Sequence, residues 1–264
     1  MMIKISTQNK IRDSFSRAAS QYDTYTLFHQ RIGERLIGQC GDVGAGATIL
    51  DVGMGTGVLT HKMAQRYSEA VVIGCDFAEL MVEQAKRYET FKAVNADAHA
   101  LPCETDSVDI VYSNLAYQWV DELKDAFVES KRVLKPGRTF AASLFGYNTF
   151  QELFASLCGS ASETLKEKVN RMQRLYRCAY VEDRLNAAGF KAVDVSTEKV
   201  QLTFEDLFDL IRWNKLVGSN VLACDFNVGK EWLINAQEYY KDHFSNEDNS
   251  VYATAEIIWI KART

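Results

Sequence analysis

Ile49-Leu50-Asp51-Val52-Gly53-Met54-Gly55-Thr56-Gly57 is an apolar run entering a turn with glycines at alternate positions, and its reading decides the fold. The run predicts a strand. Glycine has no Cβ and tolerates positive φ, so the turn after it presses its backbone against a ligand. A second apolar run, Val71-Val72-Ile73-Gly74-Cys75-Asp76, closes on a carboxylate about 20 residues beyond the glycines, the spacing at which an acidic strand end takes both hydroxyls of a ribose. Together the two runs point to an adenosine-containing cofactor.

Two familiar phosphate-binding turns do not fit. A dinucleotide fingerprint, G-x-G-x-x-G, needs its third glycine at position 58, which is Val58. A P-loop needs Gly-Lys-Ser/Thr, and the first lysine after Gly57 is Lys62. What remains is D-x-G-x-G-x-G, with Asp51 where a pyrophosphate would approach. Asp51 repels phosphate and attracts an ammonium group. The pattern resembles motif I of the class I S-adenosylmethionine-dependent methyltransferases, whose ligand carries an amino-acid ammonium and no phosphate.

Working outward, periodicity predicts helix over 9–39, strand 48–53, helix 57–67, strand 70–76, helix 78–88, strands 91–95 and 108–113, helix 121–134 and strand 138–145. Pro136 with Gly137 reads as the stop of the helix 121–134 and the turn into the next strand. The alternation implies right-handed βαβ crossovers and a parallel sheet covered on both faces. After Phe145, one or two helices over 150–178 precede the segment 180–188 and the turn at Gly189, strand 191–200 follows, and helices over 203–217 and 229–241 lead to a final strand over 251–261. The expected architecture is one α/β methyltransferase domain: a doubly wound, mostly parallel, seven-stranded Rossmann-like sheet with a helical cover. Residues 1–40 are the leading helices and 41–146 the cofactor-binding core. The cover takes 147–180 and 203–244, and 181–202 and 245–264 close the sheet.

Composition excludes several classes. With 47% hydrophobic and 25% charged residues, the chain is that of an ordinary globular protein. Thirty-five acidic against thirty basic residues give a net charge of −5, which argues against broad nucleic-acid binding. No apolar run approaches the ~20 residues a membrane span needs. The six cysteines show no C-x-x-C pair and no metal-ligand spacing with histidine, so reduced thiols, no metal and a cytoplasmic setting are expected.

The methyltransferase resemblance extends over 49–145 and implies roles for further residues. Asp76 would hold the ribose hydroxyls and Phe77 stack on the adenine. Asn95-Ala96-Asp97-Ala98 resembles the family's G-D-A turn, with Asp97 accepting from the adenine amino group and Ala98 offering a backbone N–H. Leu101-Pro102 matches the family's L-P-F, with Cys103 in place of the aromatic. Asn114, at the exit of the fourth strand, lies near the methionine end. Leu134-Lys135-Pro136-Gly137 resembles the L-K-P-G-G landmark, with Arg138 replacing its last glycine.

Flanking segments carry a narrower resemblance. Phe15-Ser16-Arg17-Ala18-Ala19-Ser20-Gln21-Tyr22-Asp23, Ser113-Asn114-Leu115-Ala116-Tyr117-Gln118-Trp119, Thr149-Phe150-Gln151-Glu152-Leu153 and Lys215-Leu216-Val217-Gly218 resemble landmarks of the malonyl-[acyl-carrier protein] O-methyltransferases, which open pimeloyl synthesis for biotin. The implied reaction moves a methyl from a sulfonium to a free carboxylate, already ionised near neutral pH and in need of no base. Tyr22, Tyr117 and Trp119 are candidate aromatic walls for the methyl centre, and Arg212 and Lys215 candidate cations for the carboxylate. Five cations lie within 166–177, among them Lys168, Arg171 and Arg174, and suit an acidic carrier protein.

Two other readings fit the same features. One is a methyltransferase for another small acid or a quinone precursor, for which the basic run has no purpose. The other is a respiratory-complex assembly factor that retains the cofactor pocket.

Overall fold

The computed structural model describes residues 2–162, 165–167, 169, 175–219 and 229–264, with the backbone alone for 2–7. Seven strands form a single sheet: β1 (Thr48–Val52), β2 (Val71–Asp76), β3 (Lys92–Asn95), β4 (Val108–Asn114), β5 (Leu134–Phe145), β6 (Lys191–Phe204) and β7 (Val251–Arg263). Their order is β3-β2-β1-β4-β5-β7-β6. Pairing is parallel from β3 through β5, while β7 runs antiparallel to both β5 and β6. This is the doubly wound, mostly parallel α/β sheet the sequence predicts. The winding reverses between β1 and β4, and ligands of such sheets bind beyond the carboxyl ends of the strands at that switch.

The central strands are apolar on both faces because helices cover both. Side chains alternate across a strand. Leu50 and Val111 accordingly join Phe127 and Phe140 in one core cluster, while their neighbours Ile49 and Ile110 join Ile32, Leu36 and Tyr112 in the other. A third cluster, built from Phe150, Leu157, Leu210, Trp232 and Tyr240, packs the cover helices together beyond the sheet.

The structure corrects the predicted elements in four places. The single helix over 9–39 is three: Met2–Ala18, Tyr22–Tyr25 and Leu27–Gln39. No glycine or proline marks the breaks, which are made by tertiary bonds. Asp23 accepts from Thr56 Oγ1 at 2.5 Å and pairs with Arg87, pulling the short middle helix onto the glycine turn.

Pro136–Gly137 does not stop a helix. The helix Leu123–Val133 ends first and β5 begins at Leu134. The Pro-Gly pair instead lies in a register shift between Val108 and Ile110, where an amide-free proline is tolerated. That irregularity brings Lys135 Nζ to 2.6 Å and Arg138 Nε to 3.1 Å from the buried Asp109. Finally, β6 and β7 are longer than predicted, at 14 and 13 residues, and pair from Lys191↔Arg263 to Phe204↔Val251. Residues 181–187, assigned to the closing strands, belong to the helix Cys178–Ala187, whose Val181 and Leu185 are buried.

Candidate active site

The glycine turn leaves β1 and is bonded at once to β2: the Gly53 and Met54 N–H groups both donate to Cys75 O, at 2.8 and 3.0 Å. Gly53, Gly55 and Gly57 have φ of 78°, 56° and 83°. A Cβ on Gly53 would stand 2.2 Å from Ala116 Cβ, and one on Gly57 2.7 Å from Phe91 Cζ. At Gly55 the nearest atom would be a ring carbon of Tyr22 at 3.7 Å, so its backbone conformation is the constraint there.

Asp76 ends β2 beneath this turn and is 7% exposed. Its Oδ2 accepts from Gly55 N–H at 2.9 Å and its Oδ1 from Ala78 N–H at 2.8 Å. Burial raises its pKa to about 6 against the pull of those two donors. Asp51 is buried deeper, at 2% exposure, and accepts from Thr60 Oγ1 at 2.6 Å. Burial, helped by the charge of Asp76 and opposed by the Thr60 bond, raises its pKa to about 7. Two desolvated carboxylates therefore face one cradle. Such a site favours a ligand that brings hydroxyl donors to one carboxylate and a positive charge to the other.

The exit of β4 builds the opposite wall. Leu115 has φ of 53°, a strained conformation for a branched side chain. It is held by its N–H to Ser143 O at 2.9 Å and by Gln118 Nε2 to its own carbonyl at 2.9 Å. Asn114 accepts from Ser143 Oγ at 2.8 Å and donates to His29 O at 3.0 Å, tying this exit to the helix Leu27–Gln39. Gln8 donates to Trp119 O at 3.0 Å, so the first helix closes the same side.

Between the walls is a cleft lined by Phe15, Tyr22, Gly53, Gly55, Asp76, Phe77, Asp97, Ala98, Asn114, Leu115 and Trp119. Counted with its mouth open to solvent, it encloses about 740 Å³ of empty space. A second hollow, lined by Tyr22, His29, Asp51, Gly53, Gly55 and Asn114 among others, adjoins it under the glycine turn. The structure thus gathers every predicted cofactor residue except Gly57 along these two connected spaces. Gly57 instead packs against Phe91 and Ala85 and starts the following helix. Asp97 reaches the cleft with Oδ1 already accepting from His99 N at 2.8 Å and lying 2.7 Å from His99 Nδ1, bonds that lower its pKa.

The predicted acceptor residues fare differently. Tyr22 lies over the cradle at the junction of the two spaces, its phenol pKa pushed up by burial and by Asp76. Tyr117 touches the cleft but is a core residue: its ring packs on Phe127 and Phe140 and its hydroxyl lies 2.5 Å from Ser130 Oγ. Arg212 and Lys215 are both exposed on the helix Leu207–Leu216, and Arg212 reaches Asp209 at 3.5 Å. Neither lines the cleft, the hollow or the recess beside them, because that helix turns its intervening residues, Trp213 and Asn214, inward. Lys168, Arg171 and Arg174 lie outside the described residues.

That recess was missed by the sequence reading. It is narrow, adjoins the hollow and is lined by His29, Trp119, Phe145, Thr149, Phe150, Leu175, Trp213, Asn214 and Ser219. Trp213 donates from Nε1 to Tyr25 O at 3.0 Å, bridging the cover to the leading helices. The i, i+1 placement of Trp213 and Asn214 between two charged residues was the available signal.

Comparison with known proteins agrees with the geometry. Residues 50–142 match the family described as a methyltransferase domain. Malonyl-[acyl-carrier protein] O-methyltransferase of Geobacter sulfurreducens is 35% identical over 261 residues, 96% of this chain and 97% of its own. The protein of that name from Methylovorus sp. is 30% identical over 264 residues, 95% of this chain and 86% of its own. Among solved structures, the YcgJ protein from Bacillus subtilis superposes with a TM-score of 0.63 at 17% identity, covering 89% of this chain and 98% of that one. Haemonchus contortus phosphoethanolamine N-methyltransferase 2, solved with S-adenosyl-L-methionine, gives 0.55 at 17%, covering 88% and 52%. At such identity these two speak for the fold alone.

The fold and the cleft define a class I methyltransferase. More narrowly, the similarity to the Geobacter protein over nearly its full length places this chain in the malonyl-[acyl-carrier protein] O-methyltransferase family.

Proposed function

We propose that the protein methylates the free carboxylate of a malonyl thioester on acyl carrier protein, with S-adenosylmethionine as methyl donor, at an early step of biotin synthesis. The observation that carries this reading is similarity over nearly the whole chain to proteins of that name, in a chain with two buried carboxylates beside its glycine turn.

The residues present fit the donor. Asp76, at the end of β2, suits a ribose diol, and the wall of Phe77, Asp97 and Ala98 suits an adenine. Asp51 has only a threonine hydroxyl as hydrogen-bond partner and no cation paired with it among the described residues, so it suits an ammonium. S-Adenosylmethionine supplies a methyl group on a sulfonium. The acceptor carboxylate oxygen bonds to that carbon as the carbon–sulfur bond breaks, leaving a methyl ester and a thioether. No proton moves, so no base is required. The protein's part is to hold the two reactants in line and keep water out, which is worth several kcal/mol. The strained Leu115, Tyr22 and Trp119 line the cleft in which that alignment would occur.

Carrier-protein contact is assigned to the basic run 166–177, by charge complementarity to an acidic partner. Reversing Arg171 and Arg174 to glutamate is expected to raise KM for the carrier-bound substrate and leave a malonyl-pantetheine substrate unaffected.

The reading is tested by supplying methyl-labelled S-adenosylmethionine with malonyl- and acetyl-carrier protein. Label is expected on the malonyl form alone, released as methanol by mild base. Label on both forms, or on neither while the donor still binds, would send the acceptor search to free acids, quinones or a protein.

A further inference from the structure

We propose that the aromatic recess lined by His29, Trp119, Phe145, Phe150 and Trp213 receives the malonyl head, and that the His29 imidazole donates a hydrogen bond to it. This assignment rests on the function proposed above and deepens it.

Three observations carry it. First, connectivity: among the described residues His29 lines both this recess and the hollow that holds Asp51, and Trp119 lines both the recess and the cleft that holds Asp76. The recess therefore shares His29 and Trp119 as walls with the cofactor space.

Second, satisfaction. His29 is 8% exposed and its Nδ1 is buried with no hydrogen-bond partner. Buried polar atoms are rarely left so without a reason. Four other polar side chains of the recess are occupied. Thr149 Oγ1 donates to Glu256 O, Asn214 Nδ2 to Leu210 O, Ser219 Oγ bonds to Asn214, and Trp213 Nε1 bonds to Tyr25 O. Among the described residues that line the recess, His29 Nδ1 is the fully buried polar side-chain atom left without a partner.

Third, electrostatics. No Lys, Arg, Asp or Glu is among the described residues that line the recess. Burial lowers the His29 pKa to about 4, so the ring is neutral at physiological pH. Among the described residues, a carboxylate entering this space meets no charged side chain, and the sulfonium would be its counter-charge. A protein cation would stabilise the ionised ground state and be left uncompensated once the ester forms. A neutral donor orients the acceptor without that cost. His29 also lies in the first turn of a 13-residue helix, whose dipole favours an anion. Its ring is held edge-on to Phe145 and tilted on Trp213, centroids 5.6 Å apart in each case.

The test uses the full chain with malonyl-pantetheine as acceptor. His29→Leu keeps the packing and removes the donor, while His29→Gln keeps a donor. Expected for His29→Leu is a fall of about tenfold or more in kcat/KM, S-adenosylhomocysteine affinity within twofold of the parent, and substantial recovery in His29→Gln. Unchanged kcat/KM in His29→Leu would overturn the assignment and leave the proposed function standing. A parent that does not methylate malonyl-pantetheine or malonyl-carrier protein at all would overturn both. In case His29→Leu does not fold, the parent labelled with ¹⁵N-histidine provides a second readout. The His29 ring resonances should shift when malonyl-pantetheine is added to the S-adenosylhomocysteine complex, and not with acetyl-pantetheine. Equal shifts or none would also overturn the assignment.

Discussion

Asp76 and Gly55 are joined across the glycine turn: the carboxylate that ends β2 accepts the Gly55 N–H at 2.9 Å and so sets the loop that leaves β1. The group assigned to the ribose is therefore also the group that shapes the cradle. Replacing it would remove the hydrogen bonds proposed to the ribose and strand the N–H groups of Gly55 and Ala78. Asp76→Ala is expected to weaken S-adenosylhomocysteine binding by about 3 kcal/mol, roughly 100-fold in Kd. Calorimetric titration checks it.

Buried Asp51 makes the protein's stability and its ligand affinity depend on pH in opposite directions. Its folded pKa, about 7, is raised above the ordinary carboxyl value of 3.8. A group raised on folding contributes stability that is complete below the unfolded pKa and is lost as pH rises through the folded one. Asp76, raised to about 6, acts in the same sense. The ligand-free protein should therefore melt at progressively lower temperature from pH 5 to 8. Affinity for the donor should rise over the same window, as ionised Asp51 meets the ammonium. Asp51→Asn should flatten both trends in thermal melts and titrations.

The glycines are not equivalent. Gly53→Ala places a Cβ 2.2 Å from Ala116 Cβ at positive φ, and a loss of about 3 kcal/mol or more is expected. Gly55→Ala meets nothing closer than 3.7 Å and carries only the backbone penalty, about 1 kcal/mol. Denaturant unfolding of both variants decides this, and equal losses would contradict it.

Arg212 and Lys215 illustrate where the sequence misleads. A helix has two faces, and sequence alone does not say which of Arg212, Trp213, Asn214 and Lys215 faces the site. The structure turns the charged pair to solvent. Arg212→Ala and Lys215→Ala should each leave kcat/KM within about twofold, as expected for exposed charges with no more than a weak ion pair. A tenfold loss in either would restore the cation to the site.

The same contrast marks how much was legible. The Ile49–Gly57 and Val71–Asp76 runs were readable because glycine conformation and strand-end carboxylates are local chemistry, and the sheet followed from their spacing. His29 was not readable. Nothing in Leu27-Phe28-His29-Gln30 marks a ligand group until tertiary packing buries the ring beside Phe145 and Trp213. The breaks at 19–21 and at Thr26 were equally hidden, since Asp23 makes them by reaching Thr56 across 33 residues. Tyr117 misled because its motif sits at the cleft while its own ring faces the core.

The most direct measurement is the intact mass of malonyl-carrier protein after incubation with the protein and S-adenosylmethionine, with acetyl-carrier protein alongside. The account predicts a gain of one methyl on the malonyl form and none on the acetyl form. An unchanged malonyl form, with donor binding intact, would contradict it.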